Sequence, residues 1–363
     1  MKQEQEGKRK LHMEWNRNLI IAIAFVLLIL SVPTATLIKN AVSGSDSPIG
    51  EVETQLSEDG AFVRMQNRIT DFTKHMVMRK GLIRFNTELT LCMSGRSYIE
   101  STQVLLGRDN WLFYKTEVDG HPLMDYMGTN CFTEKQLEEV ADNLTRIRDG
   151  IEAYGCRFVV VNCPNKEQIY SEYMPETVVR ISDESRADQI AAYLQTNTDL
   201  EYIYLKDALL KAKETCEKEL YFKTDTHWNQ VGAFIGMQAV FEQLYGDSRP
   251  EDSVSFVLAE TDFSGDLASI AGVKEEFAID NSYVFDKSSV DPLQHRDETI
   301  LLIGDSFSDF FMVIAQAYYD EVYTVRTGDF TMELLEEYDP DLVVWESVER
   351  YMNVFRSTNL LEQ

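Results

Sequence analysis

The sequence predicts an α/β domain, a parallel sheet with helices on both faces, after an N-terminal transmembrane helix. Three observations predict it. From residue 157 to the C-terminus, short apolar runs alternate with helical patterns. That alternation marks strand–helix–strand units, whose parallel strands are buried on both faces. One run, 299–303, is T-I-L-L-I and passes through Gly304-Asp305-Ser306 into a helix. Finally, residues 19–38 carry no charge. At about 1.5 Å per helical residue they span about 30 Å, the hydrocarbon thickness of a bilayer.

The chain order follows from these. Residues 1–18 read as a cytoplasmic tail with Lys2, Lys8, Arg9, Lys10 and Arg17, and 19–38 as the anchor. The linker, 39–60, carries Asp46, Glu51, Glu53, Glu58 and Asp59. This Lys and Arg bias predicts a cytoplasmic N-terminus and an extracytoplasmic domain over 61–363. A cleaved signal peptide is the alternative, and the length of the apolar run favours the anchor. Residues 62–92 read mostly helical, and 107–114 (G-R-D-N-W-L-F-Y) as a turn into an aromatic strand. Thr133 with Gln136 forms a capping box for a helix reaching about residue 154. Strands are predicted at 157–162, 201–205, 220–224, 299–303, 321–326 and 341–346. The intervening helices are 206–216, 229–244, 309–319 and 331–338, with a final one from about 348. Residues 253–294 are less regular.

Composition narrows the function. The 363 residues contain 34 Lys plus Arg and 61 Asp plus Glu, a net charge of −27. Such a surface lacks a phosphate-neutralising face and argues against nucleic acid. The 5 cysteines include no C-x-x-C pair. No metal site or cofactor is therefore predicted, and the thiols are expected to be free.

Ser306 follows the carboxyl end of a predicted strand, where open α/β sheets bind ligands. A serine there can attack a carbonyl while the Ser306 and Phe307 amides hold the oxyanion. The same Ser and Asp could equally serve as helix caps. A second segment, 220–230 (L-Y-F-K-T-D-T-H-W-N-Q), places Asp225 and His227 two apart. In an extended backbone both side chains project to one side. A nucleophilic serine needs such an imidazole as base and such a carboxylate to fix its tautomer. The alternative is that Asp225 or Thr226 caps the next helix.

Together, D-T-H-W followed by G-D-S-F resembles the alginate O-acetyltransferase-type branch of the SGNH hydrolase-like family. It also resembles the related bacterial group named for D-H-H-W, with Thr226 in place of the first His. Further matches are 107–114, the strand-end element Pro164, Lys166 and Tyr170, the F-S-G-D-L-A loop at 263–268, and W-E-S-V-E-R-Y at 345–351. The resemblance implies a circularly permuted SGNH-like sheet and a Ser306–His227–Asp225 triad. It also implies acyl transfer or hydrolysis on a carbohydrate outside the cytoplasm. In ordinary SGNH hydrolases two later loops supply oxyanion donors. Here those loops offer Gly328, and in the second no asparagine precedes Asn353; Arg350 is a candidate there, or else a structural partner of Glu346. Lys166 could contact substrate or a triad carboxylate. Trp228 could stack on sugar or sit in the core. Asp266 could line the cleft or form a turn.

The expected function is an extracytoplasmic O-acetyltransferase acting on a cell-wall or exported polysaccharide through an acyl-serine. Acetyl-coenzyme A is cytoplasmic, so a multi-spanning membrane O-acyltransferase is the expected acetyl-donor partner. A carbohydrate esterase with the same triad, or a non-catalytic polysaccharide-export scaffold, are the alternatives.

Overall fold

The computed structural model describes residues 79–362, except 95–97, 100, 117–119, 260–262, 275–276 and 278–279, together with scattered residues between 27 and 39. The predicted tail, the linker apart from Lys39, and most of the anchor lie outside the described residues. Among the described residues no helix is long and apolar enough to cross a membrane. The chain divides into two compact units, Met1–Asn86 and Thr87–Gln363. The site described below lies wholly within the second.

Five parallel strands form its centre: β3 (Arg157–Cys163), β4 (Tyr202–Tyr204), β7 (Arg296–Gly304), β8 (Tyr319–Arg326) and β9 (Leu342–Val348), in the order β4-β3-β9-β7-β8. The remaining strands form two hairpins, β1 (Val104–Leu106) with β2 (Leu112–Tyr114), and β5 (Ser255–Leu258) with β6 (Tyr283–Asp286).

Each sheet strand reads as an unbroken apolar run because both its faces are covered. On β7, Ile300 and Leu302 join one core cluster and Leu301 and Ile303 the other. Val159 and Val161 of β3 oppose Phe158 and Val160 in the same way. The first cluster packs under helix α4 (Gln230–Tyr245) and α6 (Ser308–Ala315), the second under α2 (Glu134–Glu152) and α3 (Arg186–Asn197). Two shorter helices matter below or complete the order: α5 (Asp266–Ala271) and α7 (Glu333–Tyr338), while α1 (Arg79–Met93) precedes the sheet. Within the expected stretch 62–92, the described residues are those of α1, and they are helical.

The capping box on α2 forms as predicted: Gln136 N–H donates to Thr133 Oγ1, and Gln136 Oε1 accepts from Thr133 N–H. Helix α4 is apolar on nearly every side because it lies between the sheet and the second hairpin, with Phe234 against both Phe256 and Phe285.

Two expected elements differ. Residues 220–224 form no strand of the sheet; a single antiparallel bridge, Tyr221 to Trp228, closes a loop. The expected terminal helix from about 348 starts later and is short, Val354–Ser357; Val348 ends β9 and a 3-10 turn, Glu349–Tyr351, follows it. Glu346 and Arg350 therefore do not share a helical face.

The order of β7, β8 and β9 creates a crevice at the carboxyl edge of the sheet. After β7 the chain moves outward to the edge strand β8, then returns to β9 on β7's other side. This reversal opens a cleft beyond the carboxyl ends of β7 and β9, where α/β sheets bind ligands.

Candidate active site

The turn after β7 is narrow because β9 crowds it. A Cβ on Gly304 would stand 2.6 Å from Glu346 Oε2 and 3.1 Å from Ser308 Cβ, so any side chain there would have to displace the Glu346 carboxylate. The Asp305 carboxylate then ties the turn down. Its Oδ1 accepts the Phe307 N–H at 2.9 Å and its Oδ2 accepts the Val348 N–H at 2.8 Å, joining the Ser306 turn to the end of β9. Glu346 adds a third tie, accepting the Asp305 N–H at 3.2 Å. Burial, and then the nearby Asp305 charge, push the Glu346 carboxyl well above its ordinary range.

The loop over residues 222–227 brings the second half of the site. Asn229 caps α4 through Val231 and Gly232 N–H, which leaves Asp225 and Thr226 free of capping duty. Asp225 turns towards His227. Its Oδ1 accepts both the His227 N–H at 2.9 Å and the ring Nδ1 at 2.6 Å, and its Oδ2 accepts the Asp266 N–H at 2.8 Å. The opposite ring nitrogen, Nε2, lies 2.6 Å from Ser306 Oγ. Burial raises the affinity of Asp225 for a proton, but the hydrogen bond and charge of His227 outweigh it and hold the carboxyl below its usual range. With Asp225 accepting the Nδ1 proton, Nε2 is the free base facing the Ser306 hydroxyl.

The other predicted site residues fall in different places. Trp228 is fully buried and donates its Nε1–H to Phe307 O at 3.3 Å, so it is core and no sugar reaches it. Lys166 is 2% exposed and binds the carbonyls of Phe222, Lys223 and Asp225, a brace under the loop and not a substrate contact. The Phe307 N–H is engaged by Asp305 and is not open to an oxyanion. By contrast, the Ser306 N–H donates to no acceptor among the described residues. Gly328 sits on an exposed 3-10 turn, Thr327–Asp329, with open space where a side chain would stand.

Asp266 stands at the rim of the site. Its carboxylate accepts the Thr226 N–H at 2.8 Å and the Thr226 hydroxyl at 2.6 Å. Arg350 is buried beside the turn, 5.6 Å from the Phe307 ring, 4.9 Å from Tyr351 and 6.0 Å from Tyr114. With Thr226, Asn165 and Lys166 it lines a small pocket against the loop.

Asp225, His227 and Asp266 hold ligand-type atoms within 4.8 Å of one another, the spacing of a metal site. Most of those atoms have hydrogen-bond partners already, which fits a proton-relay arrangement.

One residue with no sequence signal is Asp280, which accepts from Lys223 N–H at 2.5 Å, Thr224 N–H at 2.9 Å and the Thr224 hydroxyl. It lies in the irregular stretch 253–294, far along the chain from the loop it holds.

The profile of the family described as "SGNH hydrolase-like domain, acetyltransferase AlgX" matches residues 104–349. The chain belongs to this family. Over 309 residues it is 23% identical to "Probable alginate O-acetylase AlgJ" of Pseudomonas syringae pv. tomato, covering 74% of each chain. It is 22% identical to the protein of the same name from Pseudomonas putida, covering 74% of this chain and 75% of that one. A DHHW family protein from Eubacterium siraeum superposes with a TM-score of 0.51 at 12% identity, over 73% of this chain and 98% of that one. That likeness shows a shared fold, and the family match describes it as SGNH hydrolase-like. The O-acetyltransferase domain of Pseudomonas putida AlgJ gives a TM-score of 0.48 at 21% identity, covering 72% and 94%.

Proposed function

We propose that this AlgX-family domain is an O-acetyltransferase that carries acetyl on Ser306 and delivers it to a polysaccharide hydroxyl outside the cytoplasm. The supporting observation is the unbroken chain Ser306 Oγ–His227–Asp225, with both links at 2.6 Å. These contacts are short enough for proton transfer without rearrangement.

His227 Nε2 takes the Ser306 hydroxyl proton as Oγ bonds to the acetyl carbonyl carbon. The resulting oxyanion lies against the Ser306 N–H, and Arg350, beside the turn, supplies the second donor. As the carbonyl re-forms, the bond to the donor's oxygen breaks and His227 returns the proton to that oxygen. In the second half, His227 takes a proton from a sugar hydroxyl. That oxygen attacks the acetyl-serine, and Ser306 leaves with the proton from His227. Asp225 stabilises the imidazolium in both halves.

The uncharged stretch 19–38 and its flanking charges support an extracytoplasmic setting, with acetyl relayed by a multi-spanning membrane O-acyltransferase. Incubating the full chain with an acetyl-ester donor and an oligosaccharide tests the reading. Acetylated sugar from wild type, and none from Ser306→Ala, is expected. Free acetate with no acetylated sugar indicates an esterase, and full transfer by Ser306→Ala overturns the mechanism.

A further inference from the structure

Helix α1 has two apolar sides, and the domain covers one of them. Thr87 and Leu91 face inward. Thr87 Oγ1 donates to Ala271 O at 3.1 Å, and Leu91 is buried with Leu267, Ala268 and Ala271. Leu82, Phe85, Leu89 and Met93 recur at steps of three, four and four residues. At about 3.6 residues per turn they form one stripe, on the side away from Thr87 and Leu91. The four side chains are 41%, 63%, 46% and 80% exposed. Single exposed apolar residues are ordinary, but a contiguous row of large ones marks a contact surface.

Charge and connectivity identify what covers it. The chain carries a net charge of −27. Residues 62–93 run against that balance, with Arg64, Arg68, Lys74, Arg79, Lys80 and Arg84 opposed only by Asp71 and Glu88. An acidic body is repelled by an anionic bilayer and approaches one through such a basic segment. The segment is also joined to the uncharged stretch 19–38. Residues 39–78 connect the two, a tether of at most about 140 Å at about 3.5 Å per residue. A tethered helix meets the surface at high effective concentration, so a modest apolar stripe suffices to hold it there.

We propose that α1 is an interfacial helix, with Leu82, Phe85, Leu89 and Met93 seated among the headgroups of an anionic bilayer. A helix with a Leu and Phe stripe and basic residues lies in the plane of such an interface. The inference rests on the anchored setting proposed above. Its consequence for the site follows from the packing. Ala271, which accepts from Thr87, ends α5, and Asp266 at the other end of α5 holds the Thr226 N–H beside His227. One short helix therefore separates the bilayer contact from the loop of Asp225 and His227. Docking of α1 keeps that loop near the surface at which a membrane-borne acetyl group arrives.

The test places the photo-crosslinking residue p-benzoylphenylalanine at one position of the full chain, reconstituted in vesicles of phosphatidylglycerol and phosphatidylcholine. Adducts formed on irradiation are identified by mass spectrometry. Phe85→p-benzoylphenylalanine is expected to give lipid adducts several-fold more often than Asp142→p-benzoylphenylalanine, whose site is exposed on α2. The yield at 85 is expected to fall by about fivefold or more in vesicles of phosphatidylcholine alone, the share of a single basic residue near an anionic surface. Equal lipid yields at the two positions, or a yield at 85 indifferent to lipid charge, overturns the proposal. Adducts at 85 to a second copy of the chain, in place of lipid, also overturn it. Alkaline carbonate extraction is the separate control. Release of the chain from the vesicles overturns the anchor reading, while lipid adducts at 85 still decide the interfacial helix.

Discussion

Asp225→Asn separates the two tasks assigned to that carboxylate. Asp225 Oδ1 accepts two bonds from His227, and Oδ2 accepts one from the Asp266 N–H. An asparagine has one acceptor oxygen. Turned towards His227 it keeps two bonds and points its NH2 at the Asp266 amide; turned the other way it loses both His227 bonds. The first orientation is favoured, so the imidazole keeps its tautomer. What is lost is the negative charge beside the imidazolium that forms during the reaction. A hydrogen bond to a charged group is worth about 1.5–3 kcal/mol. Two unit charges at about 4 Å attract by about 4 kcal/mol at an effective dielectric of 20. A loss of about 2–4 kcal/mol corresponds to a drop of about 30- to 1,000-fold in kcat. The KM for oligosaccharide is expected to stay within about twofold, because only the transition state carries the imidazolium. Asp225→Ala, which frees the ring to change tautomer, is expected to lose about tenfold more. The assay is initial-rate acetyl transfer from a small acetyl ester to an oligosaccharide. Asp225→Asn with wild-type kcat, or with a loss equal to that of Asp225→Ala, refutes the reasoning.

Other expected outcomes test the frame around the site. Trp228→Phe loses the bond to Phe307 O and some packing, so thermal unfolding is expected to show a cost of about 1–3 kcal/mol. The KM for polysaccharide should not move, whereas a sugar-stacking role would raise it. Gly304→Ala forces a methyl against Glu346 Oε2 and is expected to cost about 1–3 kcal/mol in denaturant unfolding; unchanged stability would remove the crowding argument. Burial raises Glu349 from 4.5 to about 7, so between those values only the unfolded chain ionises it. Stability from this group falls as pH rises through that window, and Glu349→Gln should flatten the unfolding free energy across it. Equal slopes for the two proteins contradict the assignment.

The sheet was legible where the chain must be buried on both faces. The stretches 300–303 and 158–161 are wholly apolar and buried, and both lie in interior strands of the sheet. The same rule misled at 220–224. That segment is apolar because Leu220, Tyr221 and Phe222 sit in the core, yet its peptide groups pair with side chains such as Lys166 and Asp280 and with scattered backbone groups such as Leu112 N–H, and form no ladder with the central sheet. Periodicity reports burial of side chains and is silent on where backbone bonds go. Ser306, His227 and Asp225 could be paired from residue chemistry and family resemblance, since nucleophile, base and orienting acid are distinct side-chain types. The supports could not. Asp280, Glu346 and Asp266 are three acids among 61. Nothing in their spacing says that each turns inward to hold a backbone amide. The Phe307 amide shows the same limit: its place in the turn is readable, but its capture by Asp305 requires the three-dimensional turn.

The most direct test is to look for the acyl group on the enzyme. The full chain is mixed with an acetyl-ester donor without an acceptor, quenched in acid, digested and examined by peptide mass spectrometry. The account predicts an acetyl increment on the peptide containing Ser306, located to that residue by fragmentation and discharged when oligosaccharide is added. Acetyl transfer that proceeds with Ser306 never modified would contradict it.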